Sequence, residues 1–453
     1  MSHVIAAVST GPGVSAIGIL RLSGEGCARV AGQVFRPKSG RPLEEAPNRK
    51  LILGTLLDEG GRVLDQCMAV YTRGPHSYTG EDTVELHCHG SPPVLAAGLE
   101  ALYRAGALPA RRGEFTKRAF LNGQMDLTQA EAVIDLIEAE TADAAANAAG
   151  QVGGALVRRL EPIYHSLTDL CSHFHAVLDY PDEDIEDFRL PAYLGTLEAA
   201  RETLDRLLAT AARGRILRQG IRAVILGKPN VGKSSLLNAL AGFRRVIVTE
   251  IPGTTRDTVE ESVLLGGLRL RLVDTAGIRD TGDEIEAMGV ARSLEAAREA
   301  ELALFVCDGS RPLSGEDWEA IEAAKAAPHA LCLVNKADLP QAVDFAALPF
   351  DTVLPISAKE GTGLEALTAA LGAIFGTETP CDGSILTNAR QTGAVARARD
   401  AVSRTIEGLA AGLTPDALLT DVEEALEAMG ELSGRTVRED ITNRIFERFC
   451  VGK

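Results

Sequence analysis

The stretch that decides the fold is IRAVILGKPNVGKSSLLNAL, Ile221 to Leu240. Its first six residues are an apolar run of strand length. The next eight place Gly227, Gly232, Lys233 and Ser234 at the spacing G-x-x-x-x-G-K-S. The rest opens a helix. A strand, a glycine-rich loop and a helix start, in that order, make a phosphate cradle: loop N–H groups wrap a β-phosphate, and the helix N-terminus favours negative charge. Lys233 is expected to reach the β- and γ-phosphates and Ser234 to bind Mg²⁺. The rival reading, a glycine-rich turn matching by chance, fits this context poorly.

Outward from this stretch, LRLRLVD (268–274), LALFVCD (302–308) and ALCLVNK (330–336) are further apolar runs separated by helical stretches. Such alternation predicts βαβ units and a parallel sheet with helices on both faces, ending near Gly376. Three later motifs sharpen the site. Asp274 closes one run, where a carboxylate supports the Mg²⁺ shell, and Gly277 can offer its N–H to a γ-phosphate. Asn335–Asp338, NKAD, follows another run. The Asp338 carboxylate can accept hydrogen bonds from N1–H and the exocyclic amine of guanine. Adenine presents an acceptor at N1 and leaves it unpaired, a mismatch worth about 10⁴-fold in discrimination. Ser357–Lys359, SAK, supplies backbone N–H for guanine O6. The segment VTEIPGTTRDTVE (248–260) lies where a first switch belongs, and Thr255 can give a hydroxyl to Mg²⁺.

These motifs in this order imply a GTPase. Contacts to nucleotide are expected from Asn230, Val231, Gly232, Lys233, Ser234 and Ser235. A second set comes from Thr249, Glu250, Ile251, Pro252, Gly253, Thr254 and Thr255. Asp274, Thr275, Ala276 and Gly277 follow, then Asn335, Lys336, Ala337 and Asp338, and last Ser357, Ala358 and Lys359. One residue resists the pattern. Ras-type switches carry a water-orienting glutamine directly after the glycine. Here that residue is Ile278, which has no polar side-chain atom. Translation-factor-like GTPases with GTTRD segments often carry an apolar residue there, so hydrolysis need not be lost.

The remaining sequence frames this α/β region. The chain has 453 residues, enough for two to four domains. Hydrophobic residues make up 45% and aromatics only 4%, and Ala, Leu, Glu and Arg abound, so much helix is expected. The net charge of −17 argues against a generally basic, nucleic-acid-coating surface. Eight scattered cysteines without a CxxC pair read as reduced thiols of a cytoplasmic protein. No signal-peptide pattern opens the sequence, and no apolar run reaches the roughly 18 residues that span a membrane. Four regions follow: 1–118, α+β with several strands; 119–215, helical; 216–378, the α/β domain, inserted; and 379–453, helical again. Helix is expected to run through LGTLEAARETLDRLLATAARGRIL (194–217), and Asp179–Asp187 reads as a solvated acidic loop. His87 and His89 point to one face of a strand, but no further ligand pair stands at zinc spacing. His173 and His175 sit in helical sequence and read as packed or solvated.

The blocks AIGILRLSG (16–24), SYTGEDTVELHCHG (77–90), RRGEFTKRAFLNGQMDLTQAEAVIDLI (111–137), IPGTTRD, DTAGIRDTGDEIEAMG (274–289) and the terminal FCVGK resemble, with the phosphate loop, the bacterial tRNA-modification GTPase family MnmE, also called TrmE. The resemblance covers essentially the whole chain. It implies a folate-binding N-terminal domain that forms a homodimer, a helical domain and an inserted G domain. It implies an FAD-dependent partner, MnmG (GidA), with FAD on the partner only, and modification of C5 of the wobble uridine of certain tRNAs. The one-carbon unit would come from tetrahydrofolate, as its 5-formyl or 5,10-methylene form. It implies K⁺-driven pairing of G domains, with K⁺ on Asn230, Thr249, Ile251 and Thr254. Folate would meet Arg21, Glu85, Gln124 and Lys453; some relatives have lysine where Gln124 stands. Cys450 is a candidate reactive thiol, and Glu286 the candidate water-positioning group beside the catalytic Lys233 and Thr255. The competing class, a ribosome-assembly GTPase working as an RNA-binding switch, calls for a basic appended module, and these flanks are acidic.

Three acids, Asp283, Glu284 and Glu286, follow Ile278. A carboxylate can accept a hydrogen bond from water and fix its approach to the γ-phosphate. Glu286→Ala is expected to lose roughly 10²-fold or more in single-turnover GTP hydrolysis at saturating K⁺, with nucleotide affinity nearly intact and milder effects at the other two. Hydrolysis at the parental rate would remove Glu286 from this role.

Overall fold

The computed structural model describes residues 3–179, 190–243, 261–272, 294–376, 381–435, 442 and 445–452. Two compact units emerge: Met1–Ile134 with Gln151–Tyr193 and Arg404–Lys453, and Asp135–Gly150 with Leu194–Ser403. Among the described residues no helix is long and apolar enough to cross a membrane.

The first unit is built on a seven-stranded sheet. Its strands are β1 (Ile5–Val8), β2 (Ser15–Ser23), β3 (Phe35–Pro37), β4 (Leu51–Leu57), β5 (Val63–Thr72), β6 (Thr83–Gly90) and β7 (Leu108–Pro109), in the order β3-β4-β5-β6-β2-β1-β7. Only β1 and β7 run parallel. Side chains alternate between faces. Leu20 and Leu22 of β2, Ala69 and Tyr71 of β5, and Val84 and Leu86 of β6 share one buried cluster with α1 (Cys27–Val34) and α2 (Pro92–Arg104). A Cβ at Gly98 would stand 2.8 Å from Leu20 Cδ1, so the glycine lets α2 lie close on the sheet. The same alternation sends Arg21 and Glu85 to the other face, where the antiparallel register sets them directly opposite.

α3 spans Glu114–Leu121, starting before residue 119, and Glu114 in its first turn suits the helix dipole. α4 (Leu127–Ile137) follows, and α5 (Ala142–Val152) lies mostly in the second unit. α6 (Ala155–Asp179) buries Leu156, Leu160, Ile163, Leu167, Leu170 and Phe174, steps of three and four that form one apolar stripe. The stripe packs on the helix Pro415–Ser433, which buries Leu418, Val422, Ala425, Met429 and Leu432.

The second unit holds a six-stranded sheet in the order β13-β12-β11-β8-β10-β9, from β8 (Ile221–Leu226), β9 (Glu261–Leu265), β10 (Leu268–Leu272), β11 (Leu302–Asp308), β12 (His329–Asn335) and β13 (Val353–Pro355). The runs read from sequence as strands are strands. The sheet is not wholly parallel, however. β9 pairs antiparallel with β10 across the tight turn Gly266–Gly267, whose φ values are +57° and +82°. Apolar clusters cover both faces: Ile221, Ala223, Leu304, Leu331, Leu364 and Leu371 on one, Val224, Phe305, Ile321, Cys332 and Val334 on the other. β11 is buried at all seven positions, as a central parallel strand should be.

The expected continuous helix over 194–217 is broken into α7 (Leu190–Leu208) and α8 (Ala211–Gln219). Thr210 makes the break: its Oγ1 donates to Leu207 O at 2.6 Å and accepts the Leu386 N–H at 3.1 Å. A side chain that competes for backbone bonds in this way favours an interruption. α8 feeds directly into β8, and the chain leaving the sheet after the helix Leu364–Phe375 returns beside it. A Cβ at Gly214 would fall 1.7 Å from Leu386 O. Buried Asn147 of α5 accepts the N–H groups of Gly383 and Ile385 at 3.2 and 3.3 Å and donates to Ile385 O. The entry and exit of the α/β sheet are thus tied to one collar.

Candidate nucleotide-binding site

Parallel strands deliver the loops at their C-terminal ends to one edge of the sheet, the usual ligand side of an open α/β fold. After β8 the loop 227–232 turns into α9 (Lys233–Phe243). Its conformation requires its glycines. Gly227 has φ +146° and a Cβ there would sit 2.2 Å from Val306 O; Gly232 has φ +100° and a Cβ there would sit 2.2 Å from Asn335 Nδ2. Asn230 itself takes a left-handed φ of +64°, which asparagine tolerates better than most residues. Lys233 folds over the loop, its ammonium donating to Gly227 O and, at 3.0 Å, to Lys228 O. Burial pushes its pKa down. Ser234 and Ser235 are exposed on the first turn of α9, and Val231 is buried beneath the loop.

Asn335, at the end of β12 and 3% exposed, joins two loops. Its Nδ2 donates to Val231 O at 2.7 Å, and its Oδ1 accepts the Ala358 N–H at 3.0 Å. The first bond fixes the phosphate loop and the second the SAK turn. Asp338 is exposed, and its Oδ1 accepts the Ser357 Oγ–H at 2.6 Å. That bond, with Lys359 and Lys336 nearby, holds the carboxyl below the usual range. An ionised acceptor exposed at this sheet edge can pair with the two donors of a guanine edge.

The sequence reading missed two acids. Asp308 closes β11 and accepts Lys336 Nζ at 2.6 Å together with the N–H and Oγ–H of Ser310. Burial pushes its pKa up, but Lys336 and Ser310 outweigh it and the net shift is downward. Lys336, with φ +64°, is thereby oriented. The available signal was the aspartate ending LALFVCD, level in the sheet with Asn335. Asp317, 1% exposed, completes a capping box with Ser314 and pairs with Lys228 Nζ at 2.6 Å, anchoring the front of the phosphate loop. Thr249, Glu250, Ile251, Pro252, Gly253, Thr254, Thr255, Asp274, Thr275, Ala276, Gly277 and Glu286 lie outside the described residues.

In the first unit Arg21 Nε donates to Glu85 Oε1 at 2.8 Å, and Glu85 Oε2 pairs with His87 Nε2 at 3.2 Å. Burial works to raise the Glu85 pKa, but Arg21 and then His87 bring it below its ordinary value. The Arg21 guanidinium lies 5.6 Å from the Tyr78 ring centre and 5.7 Å from that of Phe115. Gln124 is exposed and lies near Gly80, two residues beyond Tyr78. Lys453 is outside the described residues, but the chain before it returns to this unit: Ser9 Oγ donates to Gly452 O at 2.8 Å, and Arg112 bridges Val451. Cys450 is exposed.

A phosphate loop, an Asn-Lys-x-Asp motif and an SAK turn on one sheet edge define a P-loop GTPase. Residues 4–124 match the family of GTP-binding protein TrmE N-termini, and residues 127–450 match the MnmE helical domain. Among curated relatives, the tRNA modification GTPase MnmE of Heliobacterium modesticaldum is 42% identical over 100% of both chains. That of Alkaliphilus metalliredigens is 41% identical over 100% of both, and that of Symbiobacterium thermophilum 43% identical over 100% of this chain and 99% of its own. The chain belongs to the MnmE (TrmE) family of tRNA modification GTPases.

Asp338→Asn exchanges an acceptor for a donor at the guanine edge. GTP affinity should fall by about 10²-fold or more, and xanthosine triphosphate, whose carbonyl can accept from the new amide, should bind better than GTP. Binding titrations with both nucleotides measure this. A retained preference for GTP would show that Asp338 does not read the base.

Proposed function

We propose that this chain is a K⁺-stimulated GTP hydrolase that, with an FAD-dependent partner of the MnmG (GidA) type, takes part in building the aminomethyl or carboxymethylaminomethyl group at C5 of the wobble uridine of certain tRNAs. The observation that supports this best is the combination, in one chain, of the phosphate loop and SAK turn joined by Asn335 with the Arg21–Glu85 pair on a separate N-terminal sheet. Curated proteins named tRNA modification GTPase align with it from end to end.

In this reading the loop N–H groups and Lys233 bind the β- and γ-phosphates, while Asp338 and the SAK turn select guanine. Ser234, exposed in the first turn of α9 beside Lys233, fits a magnesium ligand; it and Thr255 would hold Mg²⁺, with Asp274 in support. Asn230, exposed in the phosphate loop, would hold K⁺ with Thr249, Ile251 and Thr254, since oxygen donors suit a hard cation. When bound, the two cations supply positive charge beside the phosphates. Glu286 accepts a hydrogen bond from the water that attacks the γ-phosphorus. The bond to the β–γ bridging oxygen breaks, and GDP and inorganic phosphate leave.

The Arg21–Glu85 pair fits a pterin. Glu85, kept ionised, can accept from the two donors of a pterin edge, and Tyr78 and Phe115 offer flat apolar surface beside it. Gln124 and Lys453 would complete the folate site. When bound there, a tetrahydrofolate in its 5-formyl or 5,10-methylene form would supply the one-carbon unit. The protein works as a homodimer through its N-terminal region and acts on tRNA together with the partner.

Two measurements test this. Mass analysis of tRNA nucleosides from a strain lacking the chain should show the C5-modified wobble uridines gone; an unchanged set would overturn the tRNA reading. Steady-state GTP hydrolysis should be strongly faster in KCl than in matched NaCl, and Asn230→Ala should erase the difference. Equal rates in the two salts would remove the K⁺ assignment.

A further inference from the structure

The HCH segment of β6 contributes to a cluster that its histidines do not define. His87 is engaged with Glu85 on the Arg21 face. Cys88, on the opposite face, lies beside Cys67 of β5, and both thiols are buried, 2% and 3% exposed. Asp65, two residues before Cys67, brings a carboxylate to the same place. One donor atom from each of Asp65, Cys67 and Cys88 lies within 4.8 Å of the other two. The Asp65 carboxylate is 10% exposed and is oriented by His89, whose backbone N–H donates to Oδ2 at 2.8 Å and whose Nδ1 meets Oδ1 at 2.8 Å.

We propose that Asp65, Cys67 and Cys88 form a Zn²⁺ site in the N-terminal unit, with His89 as the positioning residue that holds the carboxylate. Two sulfur donors and one oxygen suit zinc and exclude the hard ions magnesium and calcium. With Zn–S bonds of about 2.3 Å, tetrahedral ligands stand about 3.8 Å apart, so the cluster needs only small side-chain adjustments. Three protein ligands leave a fourth position for water. Entry is from the His89 side, since that ring is 76% exposed. Binding of the ion to the two thiols would release their protons. The second mixed cluster, Cys171 and His175 of α6 with Glu423, is more exposed and serves as the internal control.

The test is titration of the reduced full-length chain with Co²⁺, followed by competition with Zn²⁺. The expected result is near-ultraviolet thiolate-to-cobalt charge-transfer absorption that saturates at one equivalent and is displaced by Zn²⁺. An ion at Ser234 gives no such band. Cys67→Ser and Cys88→Ser should each abolish the site, whereas Cys171→Ser should leave it unchanged. Asp65→Asn keeps the shape of the side chain and should weaken Zn²⁺ about tenfold or more; it decides the matter if the serine variants fail to fold. The absence of any band in the parental protein overturns the proposal. So does a band that survives Cys67→Ser and Cys88→Ser, is lost in Cys171→Ser, or is insensitive to Asp65→Asn.

Discussion

The nucleotide site depends on one buried amide. Asn335 has a carboxamide with two kinds of atom, and each is spent on a different loop: Nδ2 on Val231 O and Oδ1 on Ala358 N–H. No charged or apolar side chain of similar size supplies both a donor and an acceptor. Because Asn335 is buried, losing either bond would strand a polar group away from water, at a cost of about 1–3 kcal/mol. The phosphate loop and the base-reading turn are therefore held as one rigid piece. The close approach of Gly232 to the same amide shows how tightly the piece is fitted.

This rigidity rests on the sheet behind it. β8, β11 and β12 run parallel; Asp308 and Asn335 end level, and β8 stops at Leu226, level with Phe305, so the loop after it runs on toward the same edge. Much of this was legible in the sequence, because buried central strands are continuous apolar runs and the motifs sit at their ends. β9 was not legible. ESVLL carries polar residues at an edge position, and its hairpin depends on two adjacent glycines rather than on an apolar period. The break at Thr210 escaped because the helical spacing continues through it; only a partner 176 residues away, Leu386, reveals what Thr210 does. Asp308 and Asp317 escaped for the same reason, since a pairing lysine in another loop is a tertiary fact.

In the first unit, strand alternation does the sorting. Glu85 and His87 face one way, Val84, Leu86 and Cys88 the other. The Arg21–Glu85 pair was legible only through the family resemblance, although its register follows from a simple antiparallel pairing of β2 with β6. The 2.8 Å contact with Arg21 holds the Glu85 carboxyl below its usual range, and the two side chains stay 18% and 26% exposed. Such a pair contributes little to stability. Its value lies in presenting charge at a half-buried aromatic surface.

Lys233 shows the same logic in the nucleotide site. Its ammonium is partly desolvated and, among the described residues, donates to the carbonyls of Gly227 and Lys228, and burial lowers its pKa. A group in that condition is held at higher free energy as a cation than it would be in water. The cost falls on the folded protein before any ligand arrives. A phosphate brought into the loop supplies the missing negative charge and gains a donor that needs little further desolvation. The same positioned charge remains when negative charge develops on the leaving β-phosphate oxygens during hydrolysis. The fold thus meets the reorganisation cost of the reaction in advance, and that preorganisation is what a phosphoryl-transfer site chiefly requires of its protein.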